Sequence, residues 1–446
     1  MLETFKKNFF DIEAHEWPRA LSLSLFFFLV IAVFWVLKPI KKGALIDFYR
    51  LQDFQLLGMD FGGAEAEQLA KVLNMIVVYG IVVLITVLIN KLKRQHVIYL
   101  FCGALSLLLV YFAFAMQTPD AADVWLFYIF GDIFNSIMVG LFWAFSNDVN
   151  SPNQSKRLYG IIGFGGVLGG AVGAQFVRTY VTQANVGRQG LILSCLLAMG
   201  IIAIIVYFVN KNAQQDQPEE SEKKDKAKVN AATEGAKLVF KSRYLLAVMG
   251  IIGLYEIVSN IVEFQFSATV ESSGMEGTEI DAFFGLWGWL ISGISILAQL
   301  FLTPFLMNRK SIGAALFVLP IVDLILSGGF LIMPGLYMAM LLSASDNGFN
   351  YSINQSAKES LYTPTSRDVK YKAKAFIDMF IQRFAKVLAV VLNLVFAAYV
   401  GISGVRWLAI ASIVVLLVWL YVVKYVAEQY KQRVTTKTGA SSPPPN

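Results

Sequence analysis

The chain alternates between apolar runs of roughly 20 residues, the length an α-helix needs to cross the hydrocarbon core of a bilayer, and short polar connections. Twelve runs reach that length: about 17–38, 69–90, 96–116, 124–146, 158–181, 189–209, 244–266, 282–306, 311–332, 335–354, 376–400 and 405–426. The pattern predicts an all-α integral membrane protein with twelve transmembrane helices. One connection is different. Between the sixth and seventh runs lies KNAQQDQPEESEKKDKAKVNAATEGAKLVFKSR, which is too charged to cross a bilayer and shows no amphipathic helical period. It splits the chain into a leading segment 1–16, a six-helix bundle 17–209, a linker 210–243, a second six-helix bundle 244–426 and a tail 427–446 that is expected to be disordered.

Composition agrees. Of 446 residues, 57% are apolar and 15% charged, against about 25% charged in soluble domains. A soluble multidomain enzyme, a disordered chain and a disulfide scaffold are excluded. The two cysteines, Cys102 and Cys195, sit in apolar runs and read as packing residues, not metal ligands. His15 and His96 are too isolated to form a site. No metal, cofactor or nucleic-acid partner is expected; the lipid bilayer is.

The 37 lysines and arginines orient the chain. With the N-terminus in the cytoplasm, most of them fall on the cytoplasmic side. Only Lys38, Lys41, Lys42, Arg50, Lys71, Arg178, Arg188 and Arg406 lie on the other. The positive-inside rule then puts both termini and the linker in the cytoplasm. No small-residue cleavage site ends the first apolar run, so it reads as a retained span and not a signal peptide. Six plus six helices joined by a long cytoplasmic linker is the pattern of the major facilitator type, with two halves around a central cavity. In the fifth run, GFGGVLGGAVGA places Gly165, Gly169 and Gly173 four apart. A dinucleotide loop would need a preceding strand, and its register fails at Leu168. The spacing reads instead as a seam for close helix packing.

Charges within the runs carry the chemistry, since each costs about 2.5–3.5 kcal/mol at the bilayer centre. In the tenth, Asp346, Asn350, Asn354 and Lys358 fall four apart, with Asn347, Tyr351 and Gln355 on the adjoining row. In the eleventh, Lys374, Asp378, Gln382 and Lys386 share a row that Asn393 continues. Rows of this kind predict helix faces lining an aqueous path. The fourth run holds Asp132 and Asn135, with Tyr128 and Trp143 on a similar face; the seventh holds Glu256, Asn260 and Glu263. Asp323 stands alone in the ninth and reads as structural. Lys38, Lys41 and Lys42 close the first run on the side poor in basic residues, and Pro39 is expected to turn them toward the cavity. The plain alternative is that they snorkel to the interface. Lysines among amide and aromatic side chains suit an anion with a polar or planar body, because an ammonium binds phosphate as a point charge.

At these positions the chain resembles the nucleotide transporters of plastids and intracellular bacteria, the ATP/ADP translocase type. The resemblance runs through LKPIKKGAL, GAEAEQLAKVL, KLKRQHVIY, FYIFGDIFNSIMVGLFWAFSND, KRLYGIIGFGG and NIVEFQF. It is most specific in AKESLYTPTSRDVKYKAKAFIDMFIQRFAKV. It implies exchange or import of nucleotides, with embedded charges needed for transport at Lys41, Asp132, Glu263 and Lys358. The chain departs from the family pattern at Asp132, where Glu is usual, at the glycines around Gly166, where Asn is usual, and at Gln355, Ser356 and Ala357.

The expectation is an alternating-access transporter, a monomer in a bacterial inner membrane, with no enzymatic activity. Its substrate is a nucleotide or another phosphorylated anion. Lys41 and Lys358 would hold phosphate oxygens, with Lys38, Lys42, Lys374 and Lys386 raising the local potential and Asn350, Asn354, Tyr351 and Trp143 contacting the substrate. Asp132, Glu263, Asp346, Asp378 and Glu256 would gate or couple. The alternatives are a proton-coupled carrier of another organic anion, using Asp132 or Glu263, and a membrane scaffold or sensor acting through the linker.

Overall fold

The structure, a computed structural model, describes residues 13–52, 54–56, 58–92, 94–213, 231–365 and 367–439. The expected N-terminal segment, linker and tail therefore lie partly outside the described residues. The chain is helical almost throughout. Its elements are α1 (Trp17–Leu51), a hairpin of β1 (Phe54–Leu56) and β2 (Met59–Phe61), α2 (Gly63–Lys91), α3 (Arg94–Ala115), α4 (Ala121–Val149), α5 (Pro152–Tyr180) and α6 (Gly187–Ala213). Next come α7 (Ala231–Lys241), α8 (Arg243–Glu271), α9 (Thr278–Leu297), α10 (Thr303–Arg309), α11 (Ile312–Ile332), α12 (Leu336–Phe349) and α13 (Gln355–Ser360). The last are α14 (Arg367–Phe376), α15 (Gln382–Val400) and α16 (Leu408–Gly439). Ten helices among the described residues are long and apolar enough to cross a membrane. The second and tenth expected spans correspond to α2 and α12, which are not among those ten.

Local sequence explains the starts. Asp120 caps α4 by accepting from the Asp123 backbone N–H at 2.8 Å. Ser151 caps α5, and Gln154 returns a bond to the Ser151 backbone. Such reciprocal boxes satisfy donors that a helix start leaves open. The hairpin turns at Gly58, whose φ of 77° favours glycine.

Two compact units form. The first holds α1, α2 from Leu69 onward, α3 to α6, and α9 as far as Ser292. The second holds residues 55–68, α7, α8 and the chain from Gly293 on. The segments 55–68 and 275–292 thus group with a unit other than that of most of their sequence neighbours. In the first unit α1 packs on α4, α5 and α6. The glycine seam is real: a Cβ on Gly165, Gly169 or Gly173 would collide with the backbone carbonyl of Ser24, Phe28 or Ala32 in turn. Both cysteines are buried and free, as expected of packing residues. In the second unit α8 packs on α12, α15 and α16, and α16 also packs on α11.

Four expectations need correction. The first helix does not end at Lys38 but runs to Leu51 through Pro39, so its three lysines lie inside it. The cost of continuing is met because lysine is a good helix former and Lys41 and Lys42 find buried seats. The rows of the tenth and eleventh runs are each broken by a π turn, Asn350–Asn354 and Ile377–Ile381. A wide turn inserts a residue, so side chains beyond it leave the row that a regular α-helix would keep. The linker does contain an amphipathic helix, α7, lying on α14. Glu234 pairs with Lys372 at 2.6 Å, and the Phe240 ring meets that of Phe376. An eleven-residue helix of this kind needs tertiary contact to form, which is why sequence pattern alone overlooked it. Finally, Asp323 is not alone, because it faces Asp346.

Candidate functional site

In the first unit, Lys41 is 3% exposed on α1. Its Nζ lies 2.5 Å from Asp132 of α4 and 4.1 Å from the centre of the Tyr128 ring. Gly131 makes room for this: a Cβ there would stand 2.8 Å from the Lys41 stem. Asn74 of α2 donates to the other Asp132 oxygen at 3.0 Å, fixing the carboxylate from behind. Lys38 and Lys42 lie against aromatic faces. Lys38 Nζ is 4.7 Å from the Trp35 ring and 4.8 Å from that of Trp287 in α9. Lys42, 1% exposed, is 5.0 Å from Trp287 and 5.3 Å from Phe284. Each such contact is worth about 0.5–2 kcal/mol, more as water is excluded. An anion that offered full charges could draw these ammonium groups away from ring faces.

In the second unit, Lys358 on α13 is 7% exposed. It donates to Asn350 Oδ1 at 3.2 Å and lies 4.7 Å from the Tyr255 ring. Asn354 donates to the same oxygen at 3.0 Å. The π turn brings these three together. Glu256, Asp378, Asp346 and Glu359 all attract Lys358 electrostatically. Lys374 is engaged by both Glu359 oxygens at 2.6 Å. Lys386 pairs with Glu256 at 3.5 Å. Asp346 accepts from Ser259 at 2.6 Å and is acted on by Glu263 and Glu256. Asn393 donates to the Gln68 side chain and the Asn260 carbonyl, each at 3.2 Å.

Lys41 with Asp132, and Lys358 with Asn350, Asn354 and the acids around them, therefore come together within their own units. Two expected contact residues do not join them. Trp143 stacks among Phe27, Phe142 and Tyr159; it lies three turns beyond Asp132 on α4, and its indole fills an aromatic cluster. Tyr351 is 54% exposed because the π turn rotates it outward. Sequence reasoning missed Asn74, Tyr255, Trp287 and Glu359, each supplied by an element distant in sequence or by a row it did not trace. A second charged group was also missed. In the first unit, Arg188 grips Asp281 through Nε and Nη2, at 2.5 and 3.2 Å, and donates to the Gly277 carbonyl. Asp47 and Arg50 of α1 join it, meeting Gly277 and Glu276. Gly43 is obligatory here, since a Cβ would strike the Asp281 carboxylate. A cavity of about 470 Å³ in the second unit, lined by Thr269, Ser273, Phe330, Arg406 and Trp407 among others, includes none of the lysines above. Among the described residues no three His, Cys, Asp or Glu side chains are grouped to hold a metal ion.

Buried lysines held by single carboxylates, amides and ring faces can exchange those partners for an anion. Set in an all-helical chain with ten bilayer-length helices, they define a multi-pass membrane transporter. Solved transporters share the fold. The POT family transporter PepTSo matches with a TM-score of 0.62 at 11% identity, over 93% of this chain and 98% of its own. The nucleoside transporter NupG matches at 0.58 and 14%, with the same coverage.

The family is narrower than the fold. A model of the TLC ATP/ADP transporter family matches residues 120–334 and 329–430, and the chain belongs to that family. ADP,ATP carrier protein 3 of Rickettsia bellii (strain RML369-C) is 23% identical over 508 aligned positions, covering 96% of this chain and 98% of that protein. The plastidic ATP/ADP-transporter of Solanum tuberosum is 25% identical over 341, covering 69% of this chain and 53% of that protein.

Proposed function

We propose that the protein is an alternating-access carrier that exchanges or imports a nucleotide of the ATP/ADP class or a closely related phosphorylated anion. The observation that carries this reading is the pair of buried lysines, Lys41 and Lys358, each held by groups that phosphate oxygens can displace. Family membership supplies the substrate class. In the empty carrier Asp132 occupies Lys41, while Glu256, Asp346 and Asp378 attract Lys358. Phosphate competes with these internal partners, so binding and release change the charge balance of each unit. Lys38 and Lys42 add potential from their aromatic seats, and Lys374 and Lys386 from their pairs with Glu359 and Glu256. Glu263 acts on the same cluster through Asp346. Two six-helix halves, twelve spans in all, then rock to expose the site to one side at a time. The charge bias supports cytoplasmic termini, and the fold suits a monomer in a bacterial inner membrane.

Purified protein in proteoliposomes tests this directly. Uptake of labelled ATP or ADP against internal nucleotide is expected for the wild type and is expected to be lost in Lys41→Ala and Lys358→Ala. Wild-type uptake by both variants would contradict the assignment of the two lysines.

A further inference from the structure

Asp323 of α11 and Asp346 of α12 are both fully buried. Their carboxyl groups meet within hydrogen-bonding range of each other. Ser259 of α8 donates to Asp346 Oδ2, but Asp346 Oδ1 and both oxygens of Asp323 have no donor. One turn further along the same face of α11, Ser327 is also fully buried and its hydroxyl has no partner. Orphaned buried oxygens cost about 1–3 kcal/mol each, and more when charged. The other charges acting on the pair do not relieve it. Glu256 and Glu263 of α8 add negative potential, as would ionised Tyr255 and Tyr351. From α16, Ser412 and Trp419 are the buried polar groups. Lys358, beyond the π turn, is the cation on which Asp346 is recorded to act.

Two carboxylates in contact at low dielectric repel strongly. A single proton between them removes one charge and supplies the missing donor, the arrangement that paired carboxyl groups adopt when they share a site. Oxygens this close leave no space for an ion between them.

We propose that Asp323 and Asp346 form a proton site, holding one proton between their carboxyls with the Ser259 and Ser327 hydroxyls completing the hydrogen bonds. The proton comes from and returns to water; no other bond changes. Occupancy is linked to the anion site on the same helix rod. With the proton gone, the charge on Asp346 holds Lys358; with it bound, Lys358 is freer to take a phosphate oxygen. By reciprocity, anion binding tightens proton binding. This linkage rests on the anion-carrier reading above; the proton site itself does not.

Infrared spectroscopy of the purified full-length protein tests the site without any ligand. The C=O band of a protonated, buried carboxyl is expected at neutral pH in the wild type and is expected to be lost in Asp323→Asn and in Asp346→Asn. Either variant suffices if the other does not fold. Absence of the band from the wild type, or its persistence in the folded variants, overturns the site. Calorimetric titration with ATP in buffers of different ionisation enthalpy reads the linkage. Proton uptake on binding is expected in the wild type and lost in Asp323→Asn, with binding itself retained. Unchanged uptake in Asp323→Asn, or sodium-dependent binding without proton uptake, overturns the linkage. If ATP does not bind the wild type at all, the anion reading fails while the infrared result still decides the proton site.

Discussion

Replacing Asp132 by Asn keeps the shape of the α4 site and removes its charge. Lys41 is 3% exposed and Asp132 27%, with Nζ and Oδ1 2.5 Å apart. Removing one partner of a buried pair costs about 3–5 kcal/mol. The partial solvation of Asp132 puts this case at the lower end, about 3 kcal/mol. The Tyr128 face and the Asn74 bond survive the change and add nothing to the loss. For a unit of this size each kcal/mol is worth roughly 2–4 °C, so Asp132→Asn should lower the apparent melting midpoint by about 6–12 °C. The second substitution, Lys41→Met, removes the stranded ammonium. The double variant should therefore recover most of that loss while ATP uptake stays absent, because the phosphate ligand is gone. Thermal unfolding of the three detergent-purified variants, alongside the wild type, measures the cycle. A double variant as unstable as Asp132→Asn alone would show that the pair is not what the carboxylate stabilises, and the account of the first-unit site would fail.

The other predictions test the frame around the sites. Gly169→Ala should destabilise by about 1–3 kcal/mol through forced separation of α1 and α5, whereas Gly163→Ala, whose Cβ meets nothing within 4 Å, should be neutral or slightly stabilising; equal unfolding midpoints for the two would refute the seam. Arg188→Lys should cost about 2 kcal/mol, read as a lower midpoint, because lysine cannot span both Asp281 oxygens and the Gly277 carbonyl. At Glu16, burial opposes ionisation, but the Arg157 guanidinium and the Glu13 backbone N–H outweigh it and hold the carboxyl below its ordinary value. An acid of lowered value contributes stability in full above its unfolded value, near 4.5, and loses it as pH falls through the folded one. Midpoints measured on acidification should thus fall more steeply for the wild type than for Glu16→Gln, and parallel profiles would refute the pairing.

Lys41, Asp132 and Lys358 were legible in the sequence because a charge in an apolar run is expensive and stands out. The glycine seam was legible for a related reason: its spacing matches the helix repeat, and Ser24, Phe28 and Ala32 keep the same spacing on α1. What escaped depended on tertiary neighbours. Asp323 looked solitary because its partner sits on another helix. Trp287 looked like ordinary apolar content until α9 brought its ring beside two lysines. The π turns at 350–354 and 377–381 carry no composition signal, yet they decide that Asn354 faces Lys358 while Tyr351 faces outward. Arg188 and Asp281 sat near helix ends, where charge is unremarkable, so their mutual grip could not be read from either run.

The π turns have a mechanical consequence. All three among the described residues, Ala298–Leu302, Asn350–Asn354 and Ile377–Ile381, belong to the second unit, whereas the described helices of the first unit keep a regular ladder. A regular helix transmits force as a stiff rod. A helix with a wide turn holds one residue of slack, which can migrate along the ladder and rotate everything beyond it without unfolding. The two units thus differ in compliance: the first is built to move as a piece, and the second can also twist within itself. Amide exchange should register that difference as faster opening around residues 298–302, 350–354 and 377–381 than anywhere along α1 or α5.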